Sequence, residues 1–79
     1  MQVQLITPEK TLFKGTASYV QVPGIAGEFG VMPNHESFIS LLKAGVVGID
    51  EAGSPRQEFP ITGGVAEIAN DNVTLLIEA

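Results

Sequence analysis

The chain reads as all-β, a small antiparallel β-sandwich of about eight to ten short strands, on three observations. Short runs rich in β-branched and aromatic residues alternate with turn signals along all 79 residues. Several runs place apolar side chains at period two, most clearly Val73, Leu75 and Ile77, as a half-buried strand requires. Nowhere does an i, i+3, i+4 apolar pattern persist over a helical length.

The elements follow in order. Gln2 to Thr7 alternates polar and apolar until Pro8 stops it, and Thr11 to Lys14 is a short run closed by Gly15. Ala17 to Val22 ends at Pro23-Gly24, and Phe29 to Met32 forms a further run between Gly27 and Pro33. His35 to Ala44 is the best helical candidate, but its apolar centre, Phe38 to Leu42, equally suits a buried strand. Gly45 to Ile49 follows it. Asp50-Glu51-Ala52-Gly53-Ser54-Pro55 is the clearest loop, with Gly, Ser and Pro clustered between strand candidates. Gln57 to Ile61 resumes, Gly63-Gly64 interrupts, Val65 to Ile68 continues, and Asn70-Asp71-Asn72 marks a tight turn before the last strand.

Size and composition narrow the function. With 79 residues, one domain spanning 1–79 is expected. The chain is 44% hydrophobic, but its aromatic residues are confined to Phe13, Tyr19, Phe29, Phe38 and Phe59. So small a core predicts marginal stability and a fold that gains from a partner. There is no cysteine, which excludes disulfide and thiolate chemistry and fits a reducing compartment. The net charge of −5 comes from nine acids against Lys10, Lys14, Lys43 and Arg56. Four scattered bases cannot form the stripe that displaces phosphate counterions, so nucleic acid is not an expected partner. Direct attachment to anionic lipid is disfavoured for the same reason. The chain lacks an apolar run of roughly 18 residues for a spanning helix, and Met1 to Leu5 lacks the flank of a signal peptide. A soluble, cytoplasmic protein is expected.

The chemistry-bearing residues suggest no reaction. One histidine and no cysteine do not make a common zinc site. Ser37 lies two residues from His35 without a nucleophile-elbow context. Glu28 and Glu36 could mimic a glycosidase pair, but read better as surface carboxylates. Gly24 to Gly30 is glycine-rich but lacks the Lys-Ser/Thr of a phosphate loop, and reads as a turn. No catalytic residue, metal or cofactor is expected. Leu42-Lys43-Ala44-Gly45 invites comparison with lipoyl and biotinyl carrier domains, in which a lysine at a hairpin tip bears the cofactor. Leu42 stands where those domains have an acid or methionine, so a solvated turn lysine is preferred and Lys43 as an attachment site is the alternative. A sugar- or acid-binding barrel would need convergent polar groups that one histidine and few aromatics do not supply. Val22 to His35, with three glycines and two prolines among apolar residues, reads instead as a rigid corner that docks something.

With these motifs in view, the chain resembles the N-terminal β-sandwich domain of the epsilon subunit of rotary ATP synthases, called delta in mitochondria. Leu5-Ile6-Thr7-Pro8-Glu9 followed by Leu12-Phe13-Lys14-Gly15 is similar to the family's opening, and Gly27-Glu28-Phe29-Gly30-Val31-Met32-Pro33-Asn34-His35 to its Gly-Glu/Asp-x-Gly-x-x-x-x-His signature. Leu42-Lys43-Ala44-Gly45 fits its Leu-x-x-Gly, and Gly63 to Ile68 with Asn72 to Leu76 resembles its closing strands. These motifs, in order, span essentially the whole chain. Where family members often continue His-Ala-Pro, this chain has His35-Glu36-Ser37. It also stops at the end of the sandwich, as a naturally short form or at a boundary placed there. No C-terminal helical hairpin, and none of the braking role carried by it, is therefore expected.

The resemblance implies a non-catalytic subunit of the central stalk of a proton-translocating enzyme, coupling the gamma subunit to the c-ring. It implies a peripheral place on the cytoplasmic face of the inner or plasma membrane, or the organellar equivalent, without membrane insertion. Glu28, Asn34 and His35 are expected at the ring-facing end. Glu28 would pair with a basic residue of the ring's polar loops, and His35 would hydrogen-bond near the ring–gamma junction.

Overall fold

The computed structural model describes residues 1–34 and 36–79. Among them are seven strands and no helix: β1 (Gln2–Ile6), β2 (Thr11–Thr16), β3 (Tyr19–Gly24), β4 (Gly27–Val31), β5 (Phe38–Asp50), β6 (Gln57–Ala69) and β7 (Asn72–Glu78). The all-β expectation holds. The eight to ten short strands become seven, because four expected runs fuse into two. Phe38 to Leu42 joins Gly45 to Ile49 in β5, and Gln57 to Ile61 joins Val65 to Ile68 in β6, each of 13 residues. The sheet runs β2-β1-β7-β6-β5-β3-β4. Its pairings are antiparallel except that of β1 with β7, which is parallel.

The two long strands make two layers from one sheet. Of β6, only the second half, from Gly63 to Ala69, pairs with β7. β3 pairs with the second half of β5, mainly at Gly48 to Asp50. The first layer is thus β2, β1, β7, the end of β6 and the start of β5. The second is the start of β6, the end of β5, β3 and β4. The crossing shows in the burial pattern: on β5 Leu42 is buried and then Val47 and Ile49, on β6 Ile61 and then Ala66 and Ile68. The inward-facing set changes parity in both strands, at residues that face each other (Leu42 with Gly64, Lys43 with Gly63, Gly45 with Ile61). A regular strand keeps one parity, so both must deform there. Gly64 takes φ of +154° at this point, a conformation that L side chains rarely adopt.

Side chains from both layers fill the space between. Val3, Leu5, Val73, Leu75, Ile77, Ala66 and Ile68 come from the first, and Val20, Val22, Val31, Val47, Ile49 and Ile61 from the second. Ring pairs close the layers at two places, Phe13 of β2 against Phe59 of β6 with centroids 6.3 Å apart, and Phe29 of β4 against Phe38 of β5 at 5.4 Å. These geometries suit the edge-to-face preference of aromatic quadrupoles.

Turn chemistry follows the sequence closely. Thr7 Oγ1 accepts from the backbone N–H groups of Glu9 and Lys10, shaping the turn at Pro8. Asn70 and Asp71 both take positive φ, 51° and 63°, as a two-residue hairpin turn requires. Pro60 sits where β6 has β5 as its strand neighbour and Pro23 where the β3–β5 register shifts, positions that tolerate a missing donor.

Candidate functional site

Two outward-facing surfaces differ in chemistry. On the first layer, cross-strand register sets Ile6 beside Leu76, Leu76 beside Val65, and Val65 beside Leu41. Neighbouring strands lie about 4.8 Å apart, so this apolar row is roughly 15 Å long. Leu41 is 56% exposed and Leu76 51%, while Ile6 and Val65 are half-buried. Ile25, 63% exposed, extends the row, its backbone N–H donating to the Leu41 carbonyl at 2.9 Å. The adjacent row carries Ile39, 68% exposed, beside Glu67, Thr74 and Gln4. At the β1 end the row opens into a cleft of about 320 Å³ lined by Ile6, Thr7, Pro8, Leu76, Ile77 and Glu78. Isolated surface aliphatics are ordinary. A contiguous row of them marks an interaction surface.

The second layer's outer face carries polar side chains besides exposed Val46 and Pro60. Arg56 holds Asp50 through two parallel bonds, Nε to Oδ1 at 2.7 Å and Nη2 to Oδ2 at 2.9 Å. That hydrogen bond holds the Asp50 carboxyl below its ordinary range and raises the Arg56 guanidinium. The guanidinium lies 5.7 Å from the centre of the Tyr19 ring. Tyr19 donates its hydroxyl to Gln21 Oε1 at 2.5 Å, and Gln21 Nε2 donates to Glu28 Oε1 at 3.2 Å.

Of the residues singled out from sequence, Glu28 is exposed on β4 opposite Pro23, toward the β3–β4 turn. Asn34 lies past the other end of β4 with φ of 67°, and its backbone N–H donates to Asp71 Oδ1 at 3.0 Å. Glu28 therefore belongs with Gln21, and Asn34 with the β6–β7 turn. His35 lies outside the described residues. Lys43 is exposed within β5, opposite Gly63. It occupies neither the turn expected of a solvated lysine nor the hairpin tip that a carrier domain needs, because the strand continues through Leu42-Lys43-Ala44-Gly45. Among the described residues no three of His, Cys, Asp and Glu converge to hold a metal ion. Nor is any helix there long and apolar enough to cross a membrane.

Sequence reasoning missed Tyr19, Gln21, Asp71 and the apolar row. Their neighbours come from register, which one sequence does not display. One signal was present: Leu76 is a large aliphatic at the outward parity of a strand whose inward set is Val73, Leu75 and Ile77.

A family model described as the β-sandwich domain of the ATP synthase delta/epsilon chain matches residues 1–79. The chain belongs to this family. Among curated delta/epsilon relatives, it is 35% identical over 99% of its length to the ATP synthase epsilon chain of Parvibaculum lavamentivorans, covering 59% of that protein. To the epsilon chain of Campylobacter concisus it is 38% identical over 99% of its length, covering 60% of that protein. The chain thus spans about three fifths of the relatives' length. The fold matches a chain in the Euglena gracilis mitochondrial ATP synthase OSCP/F1/c-ring structure, with a TM-score of 0.91 at 19% identity over 98% of this chain and 49% of that one. A chain of the Tetrahymena thermophila mitochondrial ATP synthase central stalk and c-ring matches with a TM-score of 0.83 at 18% identity, covering 99% of this chain and 63% of that one.

Proposed function

We infer that this chain is the β-sandwich part of a non-catalytic central-stalk subunit of a proton-translocating rotary ATP synthase, and that it couples the gamma subunit to the c-ring. Family membership supports the assembly, and the apolar row Ile6–Leu76–Val65–Leu41 supports the mode of attachment. That row is the observation that carries the reading, because a side chain that stays in water gains nothing from being a large aliphatic. In this reading the first layer's outer face docks on gamma, with the cleft at Ile6 and Leu76 receiving an apolar side chain. The β3–β4 hairpin, bearing Glu28, meets the polar loops of the ring, whereas Asn34, beyond the other end of β4 and bonded to Asp71, does not share that contact. The subunit is peripheral, on the cytoplasmic face of the membrane or its organellar equivalent, and carries out no reaction of its own.

A β-sandwich suits torque transfer. Close-packed interiors deform little and transmit strain, and here the long strands β5 and β6 belong to both layers. Force applied to one outer face reaches the other through continuous backbone.

The test is retrieval from native membranes with a tagged chain. Recovery of gamma together with the catalytic α and β subunits is the expected result. Recovery of none of these, with a lipoyl or biotinyl mass on Lys43, would replace this reading with the carrier alternative.

A further inference from the structure

The polar side chains on the second layer form a continuous chain across three strands, Asp50–Arg56–Tyr19–Gln21–Glu28. Each member is in contact with the next. Asp50 locks the guanidinium with two bonds, and that cation lies against the Tyr19 ring. The ring lies flat on the sheet because β4 offers no side chain beneath it. A Cβ at Gly30 would stand 2.0 Å from the Tyr19 hydroxyl oxygen, and one at Gly48 would stand 3.0 Å from Arg56 Cδ. The Glu28 carboxylate only accepts, so it takes the Gln21 Nε2, and the amide oxygen at the other end is anchored by the Tyr19 hydroxyl. The reversed amide would set Oε1 against a carboxylate, two acceptors with no proton between them.

We propose that Gln21 and Tyr19 are positioning residues for Glu28, holding its carboxylate on the β3–β4 hairpin for a lysine or arginine side chain of a partner loop. The inference rests on the reading that Glu28 faces the partner. Gln21 occupies Oε1, so Oε2 is the atom presented to the incoming cation. Without Gln21 the carboxylate samples its rotamers freely, and each encounter must order it anew. Arg56 is already committed to Asp50, so it does not compete for Glu28.

The test measures affinity for ATP synthase depleted of its own epsilon chain, at low and at physiological ionic strength. Wild type is compared with Glu28→Ala, Gln21→Ala, Tyr19→Phe and the double variant Gln21→Ala/Glu28→Ala. Tyr19→Phe keeps the ring and its cation contact and removes only the donor, so it serves should Gln21→Ala disturb folding. Glu28→Ala is expected to weaken binding about two- to fivefold, as exposed ion pairs do, and to flatten the salt dependence. Gln21→Ala and Tyr19→Phe should reproduce part of both effects, and the double variant should be no weaker than Glu28→Ala alone. A merely structural role would leave the salt dependence unchanged. If Glu28→Ala changes neither affinity nor salt dependence, the partner-facing reading of Glu28 fails and the proposal with it. If Glu28→Ala acts but the Gln21 and Tyr19 variants match wild type, or their effects add in full, the positioning role alone is overturned.

Discussion

At the scale of single residues, the Asp50–Arg56 pair makes a pH prediction. Asp50 is held below its ordinary range by Arg56. A carboxyl depressed in the folded state contributes stability that is complete above its unfolded value, about 3.9, and is lost as pH falls through the lower folded value. Asp50→Asn should therefore lower the Tm at neutral pH, and the difference from wild type should shrink as the pH is brought progressively below the ordinary aspartate value. Equal Tm gaps at neutral and at acidic pH would contradict the assignment. Gly30 provides a second residue-scale test. A methyl group there meets the Tyr19 hydroxyl and ring, so Gly30→Ala should cost about 1–3 kcal/mol and displace Tyr19, visible as a change in its near-ultraviolet signal. The polar residues Glu28 and Asn34 were legible in the sequence as candidates. Gln21 and Asp71, which hold them, were not, since each acts across a register or turn contact that spacing does not encode.

At the scale of elements, the crossing of β5 and β6 between layers organises the fold. Both strands switch their inward face where Leu42, Lys43 and Gly45 meet Gly64, Gly63 and Ile61. Gly64 admits no substitute easily. Its φ is +154°, and a Cβ would lie 2.4 Å from the Leu76 carbonyl oxygen, which is backbone and cannot move aside. Gly64→Ala should cost at least about 2 kcal/mol, a fall in Tm of roughly 10 °C for a domain of this size. A Tm within a degree of wild type would show that the bend does not depend on this residue. Here the sequence was read half correctly. Gly63-Gly64 and Lys43-Ala44 were seen as interruptions, and the all-β class followed from period-two runs on either side. That each interruption bends one strand rather than separating two depends on pairing across the ribbon, which only the assembled sheet reveals. The loop at Asp50 to Pro55 and the turn at Asn70-Asp71 were legible because their residue types dictate φ and capping directly.

At the scale of the molecule, the two outer faces differ in chemistry: an apolar row on the first layer and, on the second, a polar chain linked by hydrogen bonds and one cation–ring contact. A net charge of −5 gives the molecule a field that attracts cationic groups. The membership of the family was legible from ordered motifs. The apolar row was not, because outward-facing Leu41, Val65 and Leu76 come from three strands whose alignment is set by folding. The most direct test of the account is calorimetric binding of the chain to purified gamma subunit, comparing wild type with the double variant Leu41→Glu/Leu76→Glu. Both positions are exposed, so the variant should keep the wild-type Tm within a few degrees, and two carboxylates driven into an apolar contact should weaken binding by at least about tenfold. A folded double variant that binds gamma as tightly as wild type would contradict the assignment of this face.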